Sequence, residues 1–212
     1  MSFEDKLEKM QNLYLDMERQ FQEAAYTIPL DNPQEVYSPR FYTILQFACA
    51  QIHSLFKIIS KNLELKIKGD RFLDYYKALN EKGILEIQSA FIKPLKSIRK
   101  PLYPLIPETS FKIIPPEWWS SYNETKHELP EGVKKGALGN VLDAMAATFI
   151  LNGIANFTRN SDILSLLLDK KNWHHVVSDS NMDYYDFISS QNPFQNSPFF
   201  FDSTQLKSGK IF

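Results

Sequence analysis

Residues 3–24 read FEDKLEKMQNLYLDMERQFQEA, and this stretch sets the fold class. Its apolar residues recur at alternating spacings of four and three: Phe3, Leu7, Met10, Tyr14, Met17, Phe21 and Ala24. Such spacing places one apolar seam along an α-helix, and the seam must lie against a partner helix. Ser2 and Asp5 stand at the spacing of a capping box at the start of this helix. The partner helix belongs to the same chain or to a second copy, and ordinary bundles favour the same chain.

Further helices follow the same logic. Ser38 and Pro39 have the cap and first-position roles of a second helix, with an apolar stripe at Tyr42, Leu45, Cys49, Ile52, Phe56 and Ile59. Asp70 is expected to cap a third helix that carries Phe72, Tyr76 and Leu79. A helix from about Ala137 to Phe157 is apolar almost all round, which predicts a central position.

The connections between these helices are less regular. Ile84–Ile92 is read as a short helix, and residues 94–116 hold six prolines, which predicts an extended but packed crossover loop. Near the end of the chain, Phe199–Phe201 and Lys210–Phe212 are expected to form a short strand pair or an arm on the core. The sequence therefore predicts an all-α, up-and-down bundle of four to five helices over residues 1–170. Residues 171–212 are expected to form a small irregular C-terminal extension packed on the bundle.

Composition limits the function classes. The net charge is −1, so nucleic acid is disfavoured as a bulk electrostatic partner, although a small local basic patch stays possible. A single cysteine, Cys49, excludes a disulfide framework within one chain, and the sequence contains no glycine-rich phosphate loop. The charged N-terminus is not a signal peptide, and the apolar run Ala144–Leu151 is too short to span a bilayer. These features predict a soluble cytoplasmic protein with no membrane partner.

One stretch carries the candidate chemistry: residues 118–127 read WWSSYNETKH and follow Pro115 and Pro116, which predicts a helix start. Asn123 and His127 are four residues apart and share one face of that helix, as Tyr122 and Lys126 share another. An amide, an imidazole, a phenol and an ammonium within two turns do not serve a core, and they are typical of a site. A hydrogen-bonded helix start has the same appearance.

This motif, together with residues 41–57 (FYTILQFACAQIHSLFK), resembles the prokaryotic HEPN superfamily of helical proteins. The early helix of that superfamily carries an Ala-Cys pair and ends in a basic residue. Its signature on a later helix is arginine, a polar residue, three variable residues and histidine. Asn123 and His127 fill the polar and histidine positions, and the arginine position holds Tyr122. The resemblance extends over residues 40–157. The Tyr-Asn-x-x-Lys-His run also resembles that of a group of uncharacterised bacterial proteins.

The resemblance implies metal-independent cleavage of RNA by the arginine and histidine, usually across the interface of a homodimer with the two motif helices near its twofold axis. Tyr122 does not supply a guanidinium, and Lys126 is a point charge on the Tyr122 face, so it does not replace an arginine fork. A homodimer is expected from the Phe3–Ala24 seam together with the resemblance, and RNA or a partner protein is the expected further partner. The missing arginine weakens the expectation of RNA cleavage.

Each candidate residue has two readings. His127 is a general acid/base or a histidine that hydrogen-bonds the proline-rich loop, and Asn123 orients it or pairs with loop backbone. Trp119, with Trp118, stacks a base or, more commonly, anchors the helix start to the core. Tyr122 and Lys126 are the remaining ligand-binding candidates. His174 and His175 with Asp179 make only a weak metal pattern, so we expect neither a metal nor a cofactor.

Three functions remain. The first is a HEPN-like helical protein that serves as a non-catalytic interaction or RNA-associated module. The alternative is a metal-independent ribonuclease of a defence or toxin system that uses His127. A third and weaker hypothesis is a small-ligand pocket between the helices. The missing arginine and the near-neutral charge favour the first, and whether the chain is an enzyme is left open.

Overall fold

The computed structural model describes residues 2–25, 35–82, 84–85, 90–92, 105, 114–125, 131–158 and 199–201. Over these residues the fold is all-α, as predicted, with five α-helices and one short strand pair. The elements are α1 (Phe3–Ala25), α2 (Pro39–Asn62), α3 (Phe72–Glu81), β1 (Ala90–Ile92), α4 (Glu117–Thr125), a 3-10 turn (Glu131–Lys135), α5 (Leu138–Phe157) and β2 (Phe199–Phe201).

Helix α1 begins with the predicted capping box. The Ser2 amide donates to Asp5 Oδ2 at 2.8 Å, and the Asp5 amide donates to Ser2 Oγ at 3.1 Å. Six of the seven seam residues are buried, and α1 contacts both α2 and α5. The seam therefore packs against helices of the same chain, which is the arrangement expected for an ordinary bundle. It does not by itself support a dimer.

Helices α2 and α5 form the centre of the bundle and run parallel. The two N-terminal ends meet where Gly136, just before α5, lies against the backbone of Tyr42. The two C-terminal ends meet where Asn62 Nδ2 donates to Thr158 Oγ1 at 3.0 Å. A parallel pair requires a long connection back along the bundle.

The predicted apolar patterns of α2 and α5 are confirmed by burial. Ser38 Oγ accepts from the Phe41 amide at 3.1 Å, and every residue of the predicted α2 stripe is buried. Among the described helices, residues 138–156 are long and apolar enough to cross a membrane, but 94% of that segment is buried inside the protein. Such burial is what a central core helix requires.

Helix α3 packs as predicted but begins differently. Phe72, Tyr76 and Leu79 are buried, and the Tyr76 hydroxyl donates to the carbonyl of Leu105 at 2.9 Å in the crossover segment. Asp70 was predicted to cap this helix, and that prediction is wrong. Arg71 stands at the cap and its amide donates to Asp74 Oδ2 at 3.0 Å, because the Asp70 carboxylate is held by groups on α2 and α3.

The strand pair corrects a second prediction. Ala90–Ile92 is strand β1 and pairs antiparallel with Phe199–Phe201. The predicted helix over Ile84–Ile92 is therefore wrong at these three residues, and also at residues 84 and 85, which form a bend. Phe199–Phe201 is a strand, in line with one of the two alternatives, but its partner is distant in sequence. The other predicted partner, Lys210–Phe212, lies outside the described residues, as does nearly all of the proposed C-terminal extension.

Candidate functional site

The motif helix α4 carries three of the five predicted site residues: Trp119, Tyr122 and Asn123. Lys126 and His127 lie outside the described residues. The helix is held on one side by aromatic packing against α2 and α3, and on the other by polar contacts with the 3-10 turn and α5.

Trp118 and Trp119 anchor the start of α4 in the core. They are 2% and 9% exposed, and their rings meet edge to face. Trp119 stacks on Phe72 of α3, with ring centroids 3.7 Å apart and planes 14° from parallel. Aromatic pairs of this kind add to the stabilisation from burial. The Trp119 ring face toward Phe72 is therefore used for packing, which favours the anchor reading over base stacking.

Tyr122, which the resemblance described above places at the arginine position of the HEPN motif, also turns toward the interior. Its ring lies 5.1 Å from that of Trp119, and the half-buried side chain packs against the hydrophobic core. Burial, and then the proximity of Cys49 and Tyr42, raise the pKa of the Tyr122 phenol, so it is neutral and protonated at physiological pH. Asn123 is half-buried next to it.

The other side of α4 is clamped by Asn140 of α5, which sequence reasoning missed. Asn140 Nδ2 donates to Ser121 Oγ and to the Lys135 carbonyl, both at 3.1 Å, and both Asn140 and Ser121 are buried. Lys135 Nζ also pairs with Glu124 at 2.8 Å, and this hydrogen bond raises the pKa of the lysine. An asparagine in the first turn of an apolar helix was the only sequence signal for this clamp.

A second polar group, missed as a site, lies beside the motif helix. We call it the Asp70 cluster: His53, Lys57, Asp70 and Tyr75. The Asp70 carboxylate accepts from Lys57 at 2.7 Å and from the Tyr75 hydroxyl at 2.8 Å, while the Asp70 carbonyl lies 3.1 Å from His53 Nε2. The His53 ring meets Tyr75 and Trp119 edge to face, with centroids 5.7 and 6.5 Å apart. The cluster thus fixes the turn before α3 onto α2, next to the anchor tryptophan.

The protonation states in this cluster follow from its contacts. Partial burial, and then Lys57, lower the pKa of His53, so the imidazole is neutral at physiological pH and Nε2 donates to the Asp70 carbonyl. Hydrogen bonds from Lys57 and Tyr75 lower the pKa of Asp70. The cluster therefore holds one ion pair and one neutral imidazole, and their contacts fix the orientation of these side chains.

One more titratable group, Asp143 of α5, was not predicted. Burial, and then the nearby Glu117 at the start of α4, raise the pKa of its half-buried carboxyl to about 6. Because burial and a neighbouring carboxylate disfavour its charged form, ionisation of this carboxyl lowers the free energy of unfolding. It therefore makes the packing of α4 against α5 sensitive to pH.

The small-ligand hypothesis has one open groove to consider, at the junction of α1 and α2. Its volume is about 380 Å³, and its lining is Gln20, Glu23, Pro39, Arg40, Thr43 and Ile44. Trp119, Tyr122 and Asn123, the predicted site residues that the structure describes, do not line it. The groove therefore adds nothing to the chemistry of the motif helix.

In the described part of the motif helix, Trp119 and Tyr122 pack against the core and Ser121 lies under the Asn140 clamp. In comparisons with protein-family models, curated proteins and solved structures, nothing matches this chain.

Proposed function

We propose that this chain is a HEPN-like helical interaction module that does not cleave RNA, and in which the motif helix is a structural element. The observation that carries the proposal is the position of Trp119 in the core, stacked 3.7 Å from Phe72, with the half-buried Tyr122 packed against that core. Catalysis of the superfamily type needs a guanidinium at the Tyr122 position, aimed at the scissile phosphate. A neutral phenol packed on the core supplies no such charge.

The clamp around α4 gives further support. Asn140 and the Lys135–Glu124 pair connect the outer side of the motif helix to the turn before α5. A helix fixed from both sides positions its exposed residues for binding, as a scaffold does. The homodimer stays a prediction that rests on the resemblance, because the α1 seam is satisfied inside the chain.

The test is a cleavage assay on the full-length protein. Labelled single-stranded RNA is incubated with wild type and with His127→Ala in the presence of a chelator, and the free energy of unfolding of both proteins is measured in urea. We expect no cleavage above the buffer control by either protein. We also expect His127→Ala to lower the free energy of unfolding by about 1–3 kcal/mol, the cost of leaving a hydrogen-bond partner unsatisfied.

Asn123→Ala serves as a companion variant, since Asn123 and His127 share a face in a continuous helix. If Asn123 has a structural role, Asn123→Ala also changes the free energy of unfolding, and the RNA stays uncleaved. Metal-independent cleavage by wild type that is lost in His127→Ala, with the folding transition intact, would replace this proposal with the ribonuclease.

A further inference from the structure

A local excess of positive charge surrounds the turn between α2 and α3. Residues 57–82 carry seven lysines and arginines against four acidic residues, in a chain whose net charge is −1. All seven cationic side chains are exposed: Lys57, Lys61, Lys66, Lys68, Arg71, Lys77 and Lys82. The rest of the chain is correspondingly acidic, so this region is electrostatically distinct from the remainder of the molecule.

Lys57 is itself a member of the Asp70 cluster, and within four residues of a cluster member along the chain lie Lys61, Lys68, Arg71 and Lys77. Lys57 contacts Asp70 at 2.7 Å, and Lys61 lies one turn further along the same face of α2. Lys68 and Arg71 flank Asp70 in the chain. Lys77 is close enough to Asp74 to act, after Arg71, in lowering the pKa of that carboxyl. We call the surface formed by Lys57, Lys61, Lys68, Arg71 and Lys77 the basic surface.

The acidic residues inside the basic surface are already paired. Asp70 is held by Lys57, and Asp74 by Arg71 at 3.3 Å. In the part of the chain that the structure describes, Lys61, Lys68 and Lys77 make no ion pair. Three exposed lysines are therefore available to an anionic ligand.

An aromatic ring lies among these cations. Tyr75 is half-buried, and Lys57 Nζ lies 6.0 Å from its ring centroid. The neutral imidazole of His53 meets the same ring edge to face. Cations that follow a phosphate backbone, next to a ring that contacts a base, are the combination found where proteins bind single-stranded nucleic acid. An acidic protein segment would use the lysines and gain little from the ring.

We propose that the basic surface binds single-stranded nucleic acid, with Lys61, Lys68 and Lys77 on the phosphates and Tyr75 against a base. The proposal rests on the proposed role of the chain as a non-cleaving binding module and gives that module a partner class. It assigns binding to α2 and α3, and not to the motif residues of α4. A chain that cleaves RNA would overturn the proposed function and leave this surface intact, whereas a chain that neither cleaves nor binds would overturn only this inference.

The experiment measures fluorescence anisotropy of labelled oligouridylate and oligodeoxythymidylate of about 12 nucleotides, within the range of site sizes for single-stranded binding. Full-length wild type is titrated at about 50 mM salt and then at higher salt, because phosphate contacts release counterions. Lys61→Glu/Lys68→Glu is expected to weaken binding at least about ten-fold and to reduce the slope of log affinity against log salt by about two. Binding of either oligonucleotide with this pattern supports the proposal.

The matched charge control is Lys134→Glu compared with Lys61→Glu alone. Lys134 is exposed in the 3-10 turn, near the opposite end of α2, and its reversal changes the net charge equally. We expect Lys134→Glu to change affinity less than about two-fold. An equal loss for both variants would mean that only bulk charge acts, and would overturn the assignment of the surface.

The ring is tested by Tyr75→Leu against Tyr75→Phe. Removing the ring is expected to weaken binding by about five-fold or more, and keeping it should largely preserve affinity. Circular dichroism checks that each variant folds. Absence of binding to both oligonucleotides by wild type would contradict the proposal. Equally strong competition by polyglutamate would also contradict it and would point to an acidic protein partner.

Discussion

Replacement of Trp119 by alanine distinguishes a structural motif helix from one that presents its aromatic residues to a ligand. The Trp119 ring is 9% exposed, stacks 3.7 Å from Phe72 and also contacts Trp118, Tyr122 and His53. Deleting a buried tryptophan typically costs about 3–5 kcal/mol, because both the transfer energy and the packing around the cavity are lost. For a chain of this size that loss lowers Tm by about 6–20 °C.

The assay is urea unfolding monitored by circular dichroism, with wild type, Trp119→Ala and Leu13→Ala compared. Leu13 is 40% exposed on α1, so its truncation should change the free energy of unfolding by less than about 0.5 kcal/mol. If Trp119 served mainly to stack a base, its removal would weaken RNA binding and leave stability nearly unchanged. A decrease in the free energy of unfolding below about 1 kcal/mol for Trp119→Ala would show that Trp119 does not anchor the motif helix.

Three further variants test the packing around the motif helix. Asn140→Ala should lower the free energy of unfolding, measured in urea, by about 1–3 kcal/mol, since Ser121 and the Lys135 carbonyl lose a buried donor. An unchanged free energy of unfolding would show that these hydrogen bonds do not stabilise the motif helix. Gly136→Ala should cost about 1–3 kcal/mol by the same measurement, because the added methyl would lie 2.7 Å from the Tyr42 Cα; a neutral result would argue against the close approach of α2 and α5. The folded-state pKa of Asp143 is about 6, above its ordinary value of 3.8, so the contribution of Asp143 to wild-type stability should fall as pH rises from about 4 to about 6. Asp143→Asn should flatten that dependence and stabilise the protein at neutral pH by about 1–3 kcal/mol, whereas parallel pH profiles for the two proteins would exclude the effect.

The helices of the central bundle could be predicted from sequence because their signals are local. The seam of α1, the stripe of α2 and the nearly continuous apolar surface of α5 each occupy a single stretch of chain. Periodicity within one helix is sufficient to indicate which side is buried. The Ser2–Asp5 capping box and the Ser38–Pro39 start indicated where α1 and α2 begin.

The remaining features depend on contacts between distant parts of the chain. Asp70 is a reasonable helix cap by sequence, but Lys57 on α2 competes for its carboxylate from 13 residues away. Strand β1 pairs with a segment more than a hundred residues further along, so its local apolar pattern read equally well as a helix. The Asn140 clamp likewise joins residues 19 positions apart and leaves no periodic signal.

We infer that Tyr122, which the resemblance places at the arginine position of the HEPN motif, packs against the core in this chain. The most direct measurement is the free energy of unfolding of Tyr122→Arg compared with that of Tyr122→Phe, which keeps the ring beside Trp119. The packing of Tyr122 predicts a loss of about 1–3 kcal/mol for Tyr122→Arg, because a guanidinium must displace a packed ring and lose hydration. It predicts a change below about 1 kcal/mol for Tyr122→Phe. A Tyr122→Arg protein as stable as Tyr122→Phe would contradict the claim, because the position would then be open to the charge that catalysis requires.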